Sequence, residues 1–136
     1  MSQKRLGVGF IGSGFNARFH MQAFQAIRDA DVLGVWSPNR AHAESAATLC
    51  RELDIGAAKP FASITDLVAD PAIDAVWLTG PNYARIENVE ALVDALQGAE
   101  DQRRDERRAH QREEHRQVAA QRHVLHRGRQ QGRRED

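Results

Sequence analysis

The chain has 136 residues, room for one domain with a modest core, and its formal charge of zero hides two unlike segments. Residues 1–98 carry 2 Lys and 6 Arg against 11 acids, whereas residues 99–136 carry 11 Arg and no Lys against 8 acids. A single cysteine excludes an intrachain disulfide, and no run approaches the roughly 20 apolar residues of a membrane span, so the sequence predicts a cytoplasmic protein without a membrane partner.

The N-terminus, MSQKRLGVGFIGSG, is basic and then apolar, but its apolar part is short, broken by glycines and accounted for as a strand over Leu6–Ile11. That strand runs into Gly12-Ser13-Gly14-Phe15-Asn16-Ala17, a G-x-G-x-x-A turn opening a helix. Gly12 permits a tight turn, and Gly14 has no Cβ to block a pyrophosphate. Ala17 lets the helix pack closely on the strand, and the helix N-terminus offers unpaired N–H groups and a partial positive charge. The flanks favour a dinucleotide-binding turn over an accidental glycine-rich one.

The helical pattern continues over Ala17–Ile27, with Phe19, Ala23 and Ile27 on one face. Val32–Trp36 predicts a second strand. The helix after Asn39 places Ala43, Ala46, Ala47, Cys50 and Leu53 on its buried side, where Cys50 is an inert packing residue. A third strand near Ala58–Ala62 contains Pro60, which suits an edge. Thr65–Ala69 predicts a short helix capped by Ser63 or Thr65. Ala75–Thr79 is a nearly continuous apolar run, as expected of a strand buried on both faces, and Trp36 and Trp77 read as core. A last helix over Ala84–Leu96 turns Ile86, Val89, Val93 and Leu96 toward the sheet.

The order β-α-β-α-β-α-β-α predicts an α/β protein with a doubly wound parallel sheet of about four strands. Strands five and six of the 3-2-1-4-5-6 order have no counterpart, so the fourth strand becomes an apolar edge suited to self-association.

Four segments together resemble the N-terminal, Rossmann-type domain of the Gfo/Idh/MocA family of NAD(P)-dependent sugar and polyol oxidoreductases. They are GFIGSGFNARFHMQAF (Gly9–Phe24), DVLGVWSPNRAHAESAA (Asp31–Ala47), FASITDLVADPAIDAVWLTGPN (Phe61–Asn82) and ARIENVEALVDAL (Ala84–Leu96). The resemblance implies that residues 1–98 are a dinucleotide-binding domain. Gly12, Ser13, Gly14, Phe15 and Asn16 would surround the pyrophosphate, and Thr79, Gly80, Pro81 and Asn82 would lie near the nicotinamide-side ribose. His20 reads as a first-helix residue near this turn rather than a catalytic base. Ser37-Pro38-Asn39-Arg40 stands where an NAD site usually has an acid for the ribose 2′-OH. Here Ser37, Asn39 and Arg40 suit a 2′-phosphate, which favours NADP over NAD, against the plainer reading of Arg40 as a solvated helix residue.

Two departures from the family pattern predict a catalytically inactive chain with no catalytic residue of its own. The family's Glu-Lys-Pro strand end, whose lysine handles the substrate hydroxyl, is missing, because Lys59-Pro60 belongs to the wrong strand. The second, substrate-binding domain has no counterpart either. Hydride transfer needs the cofactor face and a general acid or base within reach of one carbon. The alternatives are a non-catalytic nucleotide-binding module and a nucleic-acid-associated protein that uses its arginine-rich tail.

That tail, residues 99–136, has no Ile, Phe, Trp, Tyr or Met and cannot bury enough apolar surface to offset its ordering entropy. It predicts a disordered or irregularly helical segment. The abrupt loss of lysine and gain of Arg, Gln and His where a fifth strand should begin fits an out-of-frame reading of a GC-rich gene, and hence a truncated relative. An unstructured natural tail and a nucleic-acid arm are the other readings. Interleaved acids and the absence of aromatics count against nucleic acid. His110, His115, His123 and His126 lack cysteine neighbours and a scaffold, so no metal site is expected.

Overall fold

The computed structural model describes residues 4–131, with side chains as far as Gln121. The readings of the His123 and His126 side chains therefore lie outside the described residues. Strands β1 (Leu6–Ile11), β2 (Ala30–Trp36), β3 (Lys59–Pro60) and β4 (Ala75–Leu78) form one sheet in the order β3-β2-β1-β4, with every pairing parallel. Helices α1 (Phe15–Ala23), α2 (Arg40–Glu52), α3 (Ile64–Ala69) and α4 (Arg85–Gln131) alternate with the strands. This is the doubly wound α/β arrangement that the sequence predicts, left open at β4 among the described residues.

Strand β1 is central, and its alternation feeds two cores. Val8 and Phe10 join one cluster with Ala17, Met21, Phe24, Val32, Val35 and the buried side of α2. Ile11 joins a second cluster with Ile64, Leu67, Val68 and Ala95. Asn39 starts α2 by accepting from the Ala41 and His42 N–H groups, and Ser63 starts α3 by accepting from the Asp66 N–H. On α2, Ala43, Ala46, Ala47 and Cys50 are buried as the periodicity predicts. Strand β3 occupies an edge, the position Pro60 tolerates.

Four expectations are corrected. Helix α1 begins at Phe15 and closes in a 3₁₀ turn over Phe24–Ala26, so Ile27 leaves the helix in extended conformation. Its buried line is Ala17, Met21 and Phe24, because Ala17 must meet the strand and fixes the face; Phe19 and Ala23 are exposed. Strand β4 is half-buried rather than covered on both sides, since it forms the other edge of the sheet. Trp77 accordingly retains 41% of its surface and lies against Phe10, His20 and Phe24 instead of filling a core. Trp36 is only partly buried, against the second cluster.

The third correction concerns α4. Its sheet-facing line is Leu92, Ala95 and Ala99, while Ile86, Val89, Val93 and Leu96 stay 40–72% exposed. Two apolar registers overlap on this helix, and the smaller side chains of the chosen one allow closer packing on the sheet. The fourth narrows the tail: of the two expected states, disordered or irregularly helical, the structure shows a helix, and a regular one to Gln131. Residues 99–127 contain no Gly or Pro and are rich in helix-forming Ala, Arg, Gln and Glu. Asp101–Arg104, His110–Glu114 and Glu113–Arg116 pairs at helical spacing add support. Every described side chain from Glu100 to Gln121 is exposed. The chain divides into two units, Met1–Ala99 and Glu100–Asp136.

Candidate functional site

The carboxyl ends of β1, β2 and β4 each release a turn, and hydrogen bonds tie the three turns together. The Gly12 N–H donates to the Trp36 carbonyl oxygen at 2.8 Å, and the Thr79 N–H donates to the Ile11 carbonyl oxygen at 2.9 Å. Ser13, nearly buried, donates from its hydroxyl to that of Ser37 at 2.9 Å. Thr79 is likewise buried, and its hydroxyl donates to the Ile11 carbonyl oxygen at 3.4 Å. Gly12, Ser13, Ser37, Thr79 and Gly80 are thus joined in one arrangement at one end of the sheet.

Gly12 has φ +118°, a conformation that L side chains rarely adopt. A Cβ there would also stand 2.9 Å from the Gly80 nitrogen and the Thr79 carbonyl carbon. Both constraints require glycine where the first turn meets the third. Gly14 is the opposite case. A Cβ on it would meet nothing within 4 Å, so its missing side chain leaves open approach to the start of α1.

No side chain caps α1, whereas Asn39 and Ser63 cap α2 and α3. The first turn of α1 contains no acid, and the three turns at Gly12–Asn16, Ser37–Arg40 and Thr79–Asn82 contain no carboxylate at all. Open N–H groups, the positive end of the helix dipole and the absence of negative charge suit a phosphate-bearing group. The residues present therefore fit the diphosphate of a dinucleotide.

The remaining expected residues are less tightly bound to this arrangement. Phe15 is 87% exposed and stacks on Phe19 with ring centroids 6.4 Å apart; Asn16 is exposed on the same first turn. Asn39 has a structural task as the α2 cap. Arg40 is exposed and pairs with Glu44 at 3.1 Å, one turn further along α2. Pro81 and Asn82 are exposed, Pro81 preceding a short 3₁₀ turn over Asn82–Ala84. Lys59 is on β3, at the edge of the sheet away from β4, and pairs with Asp70 at 3.0 Å.

Two neighbours of the site were not singled out from the sequence. Arg18 folds back along α1, donating from Nε to the Ser13 carbonyl oxygen at 3.2 Å and from Nη2 to the Ser45 hydroxyl at 2.8 Å. Its position four residues after Gly14 was the available signal, because long helical side chains lean toward the N-terminus. Asn88 on α4 sets its amide beside Gly80, where an added Cβ would approach its nitrogen to 2.7 Å. Only the fold brings these two together.

An oxidoreductase family with an NAD-binding Rossmann fold, Gfo/Idh/MocA, matches residues 6–101. Among solved structures, myo-inositol dehydrogenase from Lactobacillus casei, in complex with NAD(H) and myo-inositol, is 30% identical with a TM-score of 0.57. The likeness covers 66% of this chain and 26% of that one. Scyllo-inositol dehydrogenase from the same organism, with bound NAD(H) and scyllo-inositol, is 23% identical over 68% of this chain and 26% of its own, with a TM-score of 0.53. Biliverdin reductase from Synechocystis, in complex with biliverdin and NADP+, is 23% identical over 66% of this chain and 27% of its own, with a TM-score of 0.51. The last two likenesses concern the fold alone. The chain thus spans about a quarter of the length of these solved proteins. No curated protein sequence matches it.

Proposed function

The chain belongs to the Gfo/Idh/MocA oxidoreductase family with its NAD-binding Rossmann fold, and from that premise we propose that it binds a nicotinamide dinucleotide across the ends of β1, β2 and β4, with NADP(H) preferred. One observation carries this reading: the uncapped start of α1 opens onto free space at Gly14 beside a turn held shut at Gly12. The α1 N–H groups would bind the diphosphate, with Ser13, Phe15 and Asn16 around it. Thr79, Gly80, Pro81 and Asn82 would border the nicotinamide half, and Ser37, Asn39 and Arg40 the adenosine ribose. The lack of a carboxylate in Ser37–Arg40 removes a charge that would repel a 2′-phosphate, and Arg40 supplies one that attracts it.

When bound, the dinucleotide supplies hydride exchange, in longer relatives with a sugar or polyol carbon. This chain holds and orients the cofactor without turning over a substrate. None of its three turns contains a lysine or carboxylate to move the hydroxyl proton. The open β4 edge, with Trp77 beside it, further supports self-association with a second copy.

Fluorescence titration tests the cofactor reading. NADPH should bind saturably and more tightly than NADH, and equal, unsaturable signals for both would dismiss it. Gly14→Val provides the control on geometry, since its side chain enters open space. The variant should keep the wild-type circular dichroism spectrum and lose about ten-fold or more in affinity, as expected when a diphosphate can no longer approach the helix N-terminus.

A further inference from the structure

We propose that Arg18 is a second, pre-positioned cation for the adenosine 2′-phosphate, and so a specificity-determining residue that acts beside Arg40. The inference rests on the dinucleotide reading above and adds a residue that the glycine motif does not include.

Arg18 is half-buried on α1 and fixed at both ends of its guanidinium, by the Ser13 carbonyl oxygen and by the Ser45 hydroxyl. These two bonds occupy two of the five N–H donors of an arginine and leave three for a ligand. Among the described residues no carboxylate lies within ion-pair distance of it, as is true also of Arg28, Arg51 and Arg85, whereas Lys4, Arg5, Arg40 and Lys59 each have an acid partner. Of these four unpaired arginines, Arg18 alone is bonded to the glycine turn. Both groups that hold Arg18 are neutral. A half-buried guanidinium kept ordered without a counter-charge is suited to take its anion from a ligand.

The anchors also indicate which anion. Ser45 is on α2, the helix that follows β2, and β2 flanks β1 on the side opposite β4. Arg18 is therefore held on the β2–α2 side of the glycine turn, away from Thr79–Asn82. The ribose 2′ position of a bound dinucleotide meets the end of β2. Arg40 reaches the same region from the first turn of α2, but it is exposed and shared with Glu44. A guanidinium already fixed loses less side-chain entropy on binding than a solvated one.

The test is calorimetric titration of the full chain with four ligands: NADPH, NADH, 2′,5′-ADP and 5′-AMP. For Arg18→Met, binding of NADPH and 2′,5′-ADP should weaken about ten-fold or more, the scale of a lost charge-assisted pair. Binding of NADH and 5′-AMP should stay within about two-fold, and Arg18→Lys should recover much of the difference. Equal weakening toward all four ligands would overturn the proposal, because Arg18 would then serve the diphosphate or the shape of the turn. Unchanged binding would overturn it as well. Wild-type protein that binds neither dinucleotide would refute the cofactor reading and this inference with it; wild-type binding unaltered in Arg18→Met removes Arg18 alone.

Discussion

Burial pushes the Cys50 thiol up to about 11, because a thiolate there would lose its water inside the α2 core, and the neighbouring Arg51 and Arg18 only partly oppose that loss. The native protein therefore keeps the proton where the unfolded chain releases it near pH 9. The resulting stability is fully present below that pH and is lost as pH rises toward about 11. Wild type should lose on the order of 2 kcal/mol more than Cys50→Ala across this window in paired chemical denaturation curves. Parallel pH profiles would disprove the buried-thiol account. Legibility at this scale followed how few neighbours a residue needs. The tight turn at Gly12 and the open helix start at Gly14 were legible because they belong to local backbone, whereas the second constraint on Gly12, its contact with Thr79 and Gly80, was not. Nor were Arg18 and Asn88, because their significance depends on Ser45 and Gly80, which are distant in the chain.

Among the elements, α2 was the most legible, since its small residues fall at one spacing and larger exposed residues do not compete. Helices α1 and α4 each offer two apolar registers, and the sheet chose the one with alanines at the contact: Ala17 on α1, Ala95 and Ala99 on α4. Strand β4 reads as fully buried from its composition, yet burial depends on what pairs beyond it. The choice leaves apolar surface on both elements, at Trp77 and at Ile86, Val89, Val93 and Leu96. Such surface next to an open strand edge favours association of copies. Sedimentation velocity should show a mass that rises with concentration above the 15.2 kDa of one chain. Ile86→Lys, at an exposed position, should weaken that rise without altering the melting curve. A single 15.2 kDa species at every concentration would exclude self-association.

Over the whole molecule, the boundary in composition near residue 98 separates two kinds of helix stability within α4. From Arg85 to Ala99 the helix rests on apolar contacts with the second cluster. From Glu100 to Gln121 its described side chains are exposed, so its order depends on propensity and on i,i+3 and i,i+4 pairs such as His110–Glu114. Composition indicated a segment without a core and left it disordered or irregularly helical; the run free of Gly and Pro from residue 99 to 127 carries it as a helix. The two candidate functions consequently make opposite demands on it. Every residue proposed to hold the dinucleotide lies between Gly12 and Asn82, whereas a nucleic-acid arm would require the 11 arginines beyond residue 98. Deleting residues 100–136, which spares the packed Ala99, should leave the affinity for NADPH within about two-fold and lower the helical signal in circular dichroism. Binding to a mixed-sequence DNA duplex, measured in parallel at low and physiological salt, should be weak before the deletion and absent after it. Loss of cofactor affinity on deletion would place part of the binding determinant in the arginine-rich helix. Strong, salt-sensitive DNA binding by the full chain would make that helix the functional surface, since releasing counterions from phosphates is the one task for which its charge, without aromatic residues, is sufficient.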